Sequence, residues 1–275
     1  MMRRAAAAPD CHRASFFRTA KLADHLFTPV PREKHMSSDQ KRVSVIIPAL
    51  NEQDSIGLVI RDIPAHLVTE IIVVDNGSSD RTAEMARNAG ARVVQESRRG
   101  YGAACLRGIA SANRPDIIVF MDGDYSDYPE EVEQLVAPVV TGEADLVIGS
   151  RTAGSRSKRV LPPHAYWGNW LTTWLITALY HYRYTDLGPF RAISHKGLMQ
   201  LGMEDLDYGW TAEMQVKALI HGLKVVEIPV SYRKRIGTSK VSGTLAGSLK
   251  AGFKILYTVF LLCLKGYTPS RANSR

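Results

Sequence analysis

Asp122 and Asp124 stand one residue apart at the close of the apolar run Ile117-Ile118-Val119-Phe120-Met121, with only Gly123 between them. A buried strand in an open α/β sheet delivers its last residues to the edge where ligands bind, so two carboxylates there face a ligand instead of the core. Side by side they repel each other. The pair becomes stable when a divalent cation lies between it and a polyanion, as when Mg²⁺ is held by one or two carboxylates plus phosphate oxygens. The chemistry this spacing points to is a metal–diphosphate site, and the competing reading is a plain acidic turn.

The elements that must position these acids are legible on either side. Val43 to Ala49 predicts a strand, and Asn51 to Asp54 followed by Ile56, Val59, Ile60 and Ile63 predicts a capped amphipathic helix. Glu70 to Asp75 repeats the pattern, with the turn Asn76-Gly77-Ser78-Ser79 leading into a helix from Asp80 to Ala89. A third unit runs from Ala91 to Val94 through Gly100-Tyr101-Gly102 into a helix over Ala103 to Ala112, and the fourth strand ends at Asp122. Strands alternating with helices imply an open, mostly parallel α/β sheet with flanking helices. Three strand ends then share one edge: Pro48 to Glu52, Asp75 to Ser79, and Asp122 to Ser126. A nucleotide bound there finds Asp75 as an acceptor for base N–H groups, turn backbone for the ribose, and Asp122 and Asp124 with a cation for the diphosphate.

Ile47-Pro48-Ala49-Leu50-Asn51-Glu52, Val73-Val74-Asp75-Asn76-Gly77-Ser78-Ser79-Asp80, Gly100-Tyr101-Gly102-Ala103-Ala104, Asp122-Gly123-Asp124 and Gly149-Ser150-Arg151 follow one another in an order and spacing that resembles the inverting family 2 glycosyltransferases. The chain looks most like the branch of dolichyl-phosphate mannose synthase and related polyprenyl-phosphate sugar transferases, over about Val43 to Lys240. The resemblance implies a GT-A (Rossmann-like) fold binding a UDP- or GDP-sugar with Mg²⁺ or Mn²⁺. Carried over by position, Pro48, Ala49, Glu52, Asp75 and Gly102 attend the nucleotide, and Asp122, Asp124 and Ser126 the metal and diphosphate. Asn76 stands where a second acid is frequent, and Ser126 where that branch often has a Gln ligand. A hydroxyl is the weaker, shorter ligand.

Two other enzyme classes share parts of this grammar. Gly100-Tyr101-Gly102 with an acid some twenty residues on suggests a dinucleotide site, but Cys105 replaces the third glycine and the turn follows the third strand instead of the first. A sugar nucleotidyltransferase usually starts with a Gly-rich, basic loop, where this chain has Ala49-Leu50-Asn51-Glu52.

With 275 residues, 45% of them hydrophobic, the chain can bury one full core. Its net charge of +8 is concentrated at the start, where residues 1–42 hold nine Lys/Arg against four acids. No zinc, homeodomain-like or RNA-binding signature accompanies it, so nucleic acid is not an expected partner. Residues 1–41 read as a disordered extension, either upstream of a natural start at Met36 or an organellar targeting peptide. Cys11, Cys105 and Cys263 are scattered and odd in number, as in a reducing cytosolic compartment. The GT-A domain is expected over 42–241, and an amphipathic C-terminal helix and tail over 242–275.

Past Arg151 and a basic loop with Arg156, Lys158 and Arg159, the residues Trp167, Trp170, Leu171, Trp174, Leu175 and Leu179 recur at helical spacing. Such a stripe packs on the sheet or lies at a lipid–water boundary. Leu245, Leu249, Phe253, Leu256, Phe260 and Leu264 make a second stripe, with Lys250 and Lys254 on another face. Only Ile255 to Leu264 is free of charge, too short for a span of about twenty residues. An in-plane helix anchored by lysines fits better, and homodimerisation through the stripe is the competitor. The expected location is the cytoplasmic face of a membrane, peripherally bound.

Asp186-Leu187-Gly188-Pro189-Phe190-Arg191-Ala192 resembles the family's Gly-Phe-Arg-Ala segment. An acid near Tyr208-Gly209-Trp210-Thr211-Ala212-Glu213 is often the catalytic base in family 2, which makes Glu213 the first candidate and Asp186 the second. Tyr232 to Lys240 resembles the basic segment that closes over the diphosphate, with Arg233, Arg235 and Lys240 reaching the leaving group. A hydroxyl acceptor needs a base, whereas a phosphate monoester is already anionic at neutral pH and needs cations to hold it. The resemblance assigns that task to Arg151, with Arg191 the weaker candidate. The expected reaction is therefore metal-dependent transfer of a sugar to a polyprenyl phosphate, and a lipid or saccharide hydroxyl is the alternative acceptor.

Overall fold

The computed structural model describes residues 41–153, 163–237 and 245–265, with residues 164 and 245–249 described by backbone alone. Residues 1–40, Arg156, Lys158, Arg159 and Lys240 lie outside the described residues, so the expectations attached to them are not carried further. In chain order the elements are β1 (Val43–Ala49), α1 (Ile56–Asp62), β2 (Glu70–Asp75), α2 (Thr82–Asn88), β3 (Arg92–Gln95), α3 (Tyr101–Ser111) and β4 (Ile117–Phe120). A single turn at Pro129–Glu131 leads to α4 (Val132–Val140), β5 (Leu146–Ser150), α5 (Pro163–Tyr180), β6 (Arg191–Ser194), α6 (His195–Leu201), α7 (Trp210–Ile220), β7 (Val225–Pro229) and α8 (Leu245–Leu264).

The seven strands form one sheet in the order β3-β2-β1-β4-β6-β5-β7. All neighbouring pairs are parallel except those of β6, which runs antiparallel to both β4 and β5. This is the GT-A, Rossmann-like arrangement. Strand side chains alternate between two cores, as a period of two demands. Val43, Val45, Ile47, Ile117 and Val119 meet Ile56, Val59, Ile60, Leu135 and Val139 on one face, whereas Ile46, Ile118 and Phe120 meet Cys105, Ile176, Trp210 and Val259 on the other. Every side chain of β4 is at most 2% exposed, and each contributes on the order of 2 kcal/mol by leaving water. Gly108 lets α3 sit close on the sheet, because a methyl group there would collide with Ile46.

Register sets the site. Ala49 is level with Asp75, and Ile46 with Phe120, so the turns after β1, β2 and β4 open side by side. Sequence periodicity does not announce β5, β6, α4 or α6, and β6 least of all, since four residues inside a motif-like segment carry too short a pattern to declare themselves.

Candidate active site

The turns after β1 and β4 border a cavity of about 760 Å³, and Pro48, Ala49, Glu52, Asp122, Asp124 and Arg235 line it together. Arg235 comes from the segment after β7. That segment lies on the Asp124–Asp127 loop: Ile236 N donates to Asp124 O at 3.0 Å, Arg233 N to Ser126 O at 2.9 Å, and Tyr232 pairs with Asp127. Its position brings the Arg235 guanidinium into an ion pair with Asp124.

The acidic loop is tightly folded. Asp124 Oδ1 accepts the Ser126 N–H at 2.9 Å, and Tyr125 takes the left-handed conformation at φ 62°, which costs a non-glycine residue about 1–3 kcal/mol unless its surroundings enforce it. Arg233 supplies that enforcement. Its guanidinium lies 3.3 Å from the centre of the Tyr125 ring and 4.3 Å from that of Tyr128, and it donates to the carbonyls of Tyr125 and Asp127 at 2.7 and 3.2 Å. Expected at the leaving group, Arg233 instead clamps the loop that carries the acids.

Burial first, and then the neighbouring Asp124 charge, push the Asp122 carboxyl up from 3.8 to about 7. Asp127, in the same loop, is 1% exposed, and neither of its carboxylate oxygens has a hydrogen-bond partner among the described residues. Burial, followed by the charges of Asp122 and Asp124, holds its carboxyl well above the usual range. Asp127 is the carboxylate that motif reading passed over, although its place three residues after Asp124 was a usable signal. Among the described residues no group of three His, Cys, Asp or Glu side chains can hold a metal ion by itself. Asp122 and Asp124 nevertheless fit a cation that shares its coordination with a diphosphate, because the two crowded acids meet at one cavity, a third buried carboxylate lies close in the same loop, and an arginine already neutralises one of the pair.

A pH dependence follows. With its carboxyl pushed up to about 7, Asp122 would have to lose a proton to hold a cation, so Mn²⁺-dependent nucleotide affinity is expected to fall as pH drops below about 7 and to level off above. The raised carboxyl stabilises the metal-free fold below about pH 4, and this contribution is lost as pH rises through about 7. Calorimetry across that window that gives a flat affinity contradicts the assignment.

Several expected residues are not brought to the cavity lining. Asp75 is 5% exposed and accepts from Ser78 N at 2.9 Å and Gln95 Nε2 at 3.0 Å, while its neighbour Asn76 lines the cavity. Asn76 also explains the missing second acid. Its Nδ2 donates to the carbonyls of Glu96 and Arg98 at 3.0 and 2.7 Å and its Oδ1 accepts from Gly100 N at 2.8 Å, and an aspartate has no donor for the first two bonds. Gly102 faces away, its bare Cα making room for the Asp205 carbonyl, and Gly100, Tyr101 and Ala104 line the cavity in its place. Ser126, expected at the metal, is 1% exposed and outside the lining.

The expected catalytic residues outside the acidic pair are engaged elsewhere. Glu213 is 3% exposed, pairs with Lys217 at 2.8 Å, and accepts the N–H groups of Glu204 and Asp205 at 3.0 and 2.8 Å. It holds a loop and does not face the cavity. Asp186 is fully buried and forks onto Arg151, with Nε and the second guanidinium nitrogen each 2.8 Å away and the Arg151 backbone N–H at 2.7 Å. Arg151 lies 5.2 Å from the centre of the Tyr232 ring; burial acts to lower its guanidinium, but the charge and hydrogen bonds of Asp186, with Tyr232 and Asp127, together push it further up. Arg191 is 0% exposed and donates to the carbonyls of Leu187, Gly188 and Thr211, so it braces the turn before β6. On α8, Lys254 pairs with Asp205 at 2.9 Å and Lys250 lines the cavity, so both lysines have a place on the protein besides any headgroup.

Comparison with known proteins agrees with this geometry. A dolichyl-phosphate hexose transferase of Haloferax volcanii is 29% identical over 218 residues, 75% of this chain and 89% of that protein. Glucosyl-3-phosphoglycerate synthase of Mycobacterium tuberculosis, solved with Mn²⁺, UDP-glucose and phosphoglyceric acid, superposes with a TM-score of 0.67 at 28% identity, covering 84% of this chain and 82% of that one. An uncharacterized glycosyltransferase of M. tuberculosis is 38% identical over 214 residues, 76% of this chain and 94% of its own. Residues 44–200 match the family described as Glycosyl transferase family 2. The chain belongs to glycosyl transferase family 2 and is a nucleotide-sugar glycosyltransferase.

Proposed function

We propose that the chain moves a sugar from a UDP- or GDP-sugar to a polyprenyl phosphate at a membrane surface, with Asp122 and Asp124 holding Mg²⁺ or Mn²⁺ against the donor diphosphate. The observation that carries this reading is a second cleft, of about 640 Å³, that starts at Thr152 beside Arg151 and runs along α5 between Tyr166, Trp170, Trp174 and Arg183. A phosphate held near Arg151 has an aromatic groove next to it for a hydrocarbon chain. The outer faces of α5 and α8 are aromatic too, with Trp167 63% and Phe253 73% exposed, as suits a lipid–water boundary. No described helix is long and apolar enough to cross a membrane. The likeness to a dolichyl-phosphate hexose transferase adds support.

In this mechanism a bound divalent cation supplies Lewis acidity to the departing diphosphate. Arg235 adds positive charge on the same side. Arg151, which Asp186 holds in place and which itself lines neither cavity, is the cation assigned to the acceptor phosphate, from the end of the cleft at Thr152. The acceptor oxygen attacks the anomeric carbon from the side opposite the diphosphate, one carbon–oxygen bond forming as the other breaks, and the configuration inverts. No proton need be removed, because a phosphate monoester with a second pKa of about 6 is already anionic. That agrees with Glu213 and Asp186 being committed to other partners.

A second reading takes a small phosphorylated hydroxy acid as acceptor, as in glucosyl-3-phosphoglycerate synthase, and Asp207 at the cavity wall is the carboxylate that such a hydroxyl would use. Labelled UDP- and GDP-sugars offered with vesicles containing polyprenyl phosphate, and with 3-phosphoglycerate in solution, separate the two. Label in the lipid extract is the expected result. Label found only in a water-soluble product installs the second reading.

A further inference from the structure

The loop from Glu204 to Gly209 is trapped between α3 and α8. On its inner side Leu206 O accepts the Ala103 N–H at 3.0 Å, and the carbonyls of Asp205 and Leu206 leave no room for a side chain at Gly102 or Gly100. On its outer side Asp205 uses both oxygens. Oδ1 accepts from Asp207 N at 2.8 Å and Gly209 N at 3.1 Å, which shapes the turn, while Oδ2 meets Lys254 Nζ at 2.9 Å and Thr258 Oγ1 at 3.4 Å, both on α8. The turn so fixed presents Asp207 and Tyr208 to the 760 Å³ cavity, and Lys250, one helical turn before Lys254, lines that cavity as well.

We propose that α8 is a wall of the donor pocket: Lys254 pins Asp205 and so positions the Asp207–Tyr208 rim, and Lys250 provides a cationic contact for the anionic part of the nucleotide-sugar. Lys250 touches the ligand, and Asp205 and Lys254 are positioning residues. This rests on the reading that the cavity holds the donor and is independent of the acceptor. It also gives the C-terminal helix a task besides any contact with lipid, because a displacement of α8 carries the pocket rim with it through one buried carboxylate. Only the Lys254 end of the pair is substantially exposed, at 39% against 6% for Asp205, so Lys254 can be exchanged with little disturbance of the core.

The test is the affinity of the full-length chain for UDP and GDP in the presence of Mn²⁺, measured by calorimetry, together with donor KM and kcat. Lys254→Met and Asp205→Asn should each weaken nucleoside diphosphate binding about three- to tenfold, while kcat at saturating donor stays within about twofold. Asn keeps one oxygen for the Asp207 and Gly209 N–H groups, so the turn survives that exchange. The double variant should lose no more than the worse single one, as expected for one shared interaction, and Lys254→Arg should restore binding. Lys250→Ala should weaken binding about tenfold, and less so at high salt. Unchanged affinity in Lys254→Met, additive losses in the double variant, or a loss confined to kcat overturns the proposal alone. A wild-type chain that binds neither nucleotide overturns the donor reading as well.

Discussion

Replacing Asp124 with asparagine should lower kcat/KM at least about a thousandfold and abolish Mn²⁺-dependent nucleotide binding while leaving the fold intact. The side chain sits at a strand-end turn where its Oδ1 accepts the Ser126 N–H, and an asparagine oxygen accepts the same bond. What is lost is a charge that repels Asp122 but also pairs with Arg235, two effects of opposite sign, so the metal-free variant should melt close to the wild type. Its Asp122 carboxyl should also titrate closer to an ordinary carboxylate, since the Asp124 charge is one cause of the upward shift. Thermal unfolding with and without Mn²⁺ plus nucleoside diphosphate reads both effects. Stabilisation by that mixture that survives in Asp124→Asn contradicts a metal role for this residue.

The second large effect separates Arg151 from Glu213. Arg151→Ala leaves the Asp186 carboxylate, 0% exposed, without its counter-ion, and breaking a buried pair costs about 3–5 kcal/mol. The same change removes the cation that the proposed mechanism places at the acceptor phosphate, so transfer at saturating donor should fall at least about a hundredfold even at a temperature where the variant is folded. Arg151→Lys keeps the charge but not the planar fork and should recover only part of the stability. Glu213→Gln also costs stability, because Lys217 at 6% side-chain exposure loses its partner, yet its turnover in the folded state should stay within about threefold, short of the contribution of a general base. A folded Glu213→Gln that is nearly inactive, beside a mild Arg151→Ala, would mean a hydroxyl acceptor and would reverse the proposed function.

Much of the fold was legible because its signals are local. The three leading βα units and the strand after them declare themselves through apolar runs bounded by turn residues, and their strand ends converge because parallel strands in register must end together. Pro48, Glu52, Asp122 and Asp124 reach the cavity for that reason alone. Glu213, Arg191 and Arg233 do not, since a charged side chain in a motif-like segment gives no sign of whether it faces a ligand or satisfies nearby backbone. Arg191 donates to two carbonyls of the turn before β6 and to one on α7, and Glu213 caps two N–H groups of a loop that only the tertiary fold brings near. Lys250 failed in the opposite sense. Helical spacing placed it on a polar face, and nothing in the sequence shows that this face closes a pocket built some 130 residues earlier in the chain.

The edge formed by β1 and β4 should hold a metal ion and a nucleoside diphosphate together. A crystal structure of the full-length chain with Mn²⁺ and a UDP- or GDP-sugar, read by anomalous scattering at the manganese edge, tests it directly. The expected map shows one manganese peak within about 2.3 Å of carboxylate oxygens of Asp122 and Asp124, with the nucleoside against Pro48, Ala49 and Asn76 and Arg235 turned from Asp124 toward the diphosphate. A nucleotide seated elsewhere, or bound in this cavity with no manganese at the two carboxylates, would contradict it.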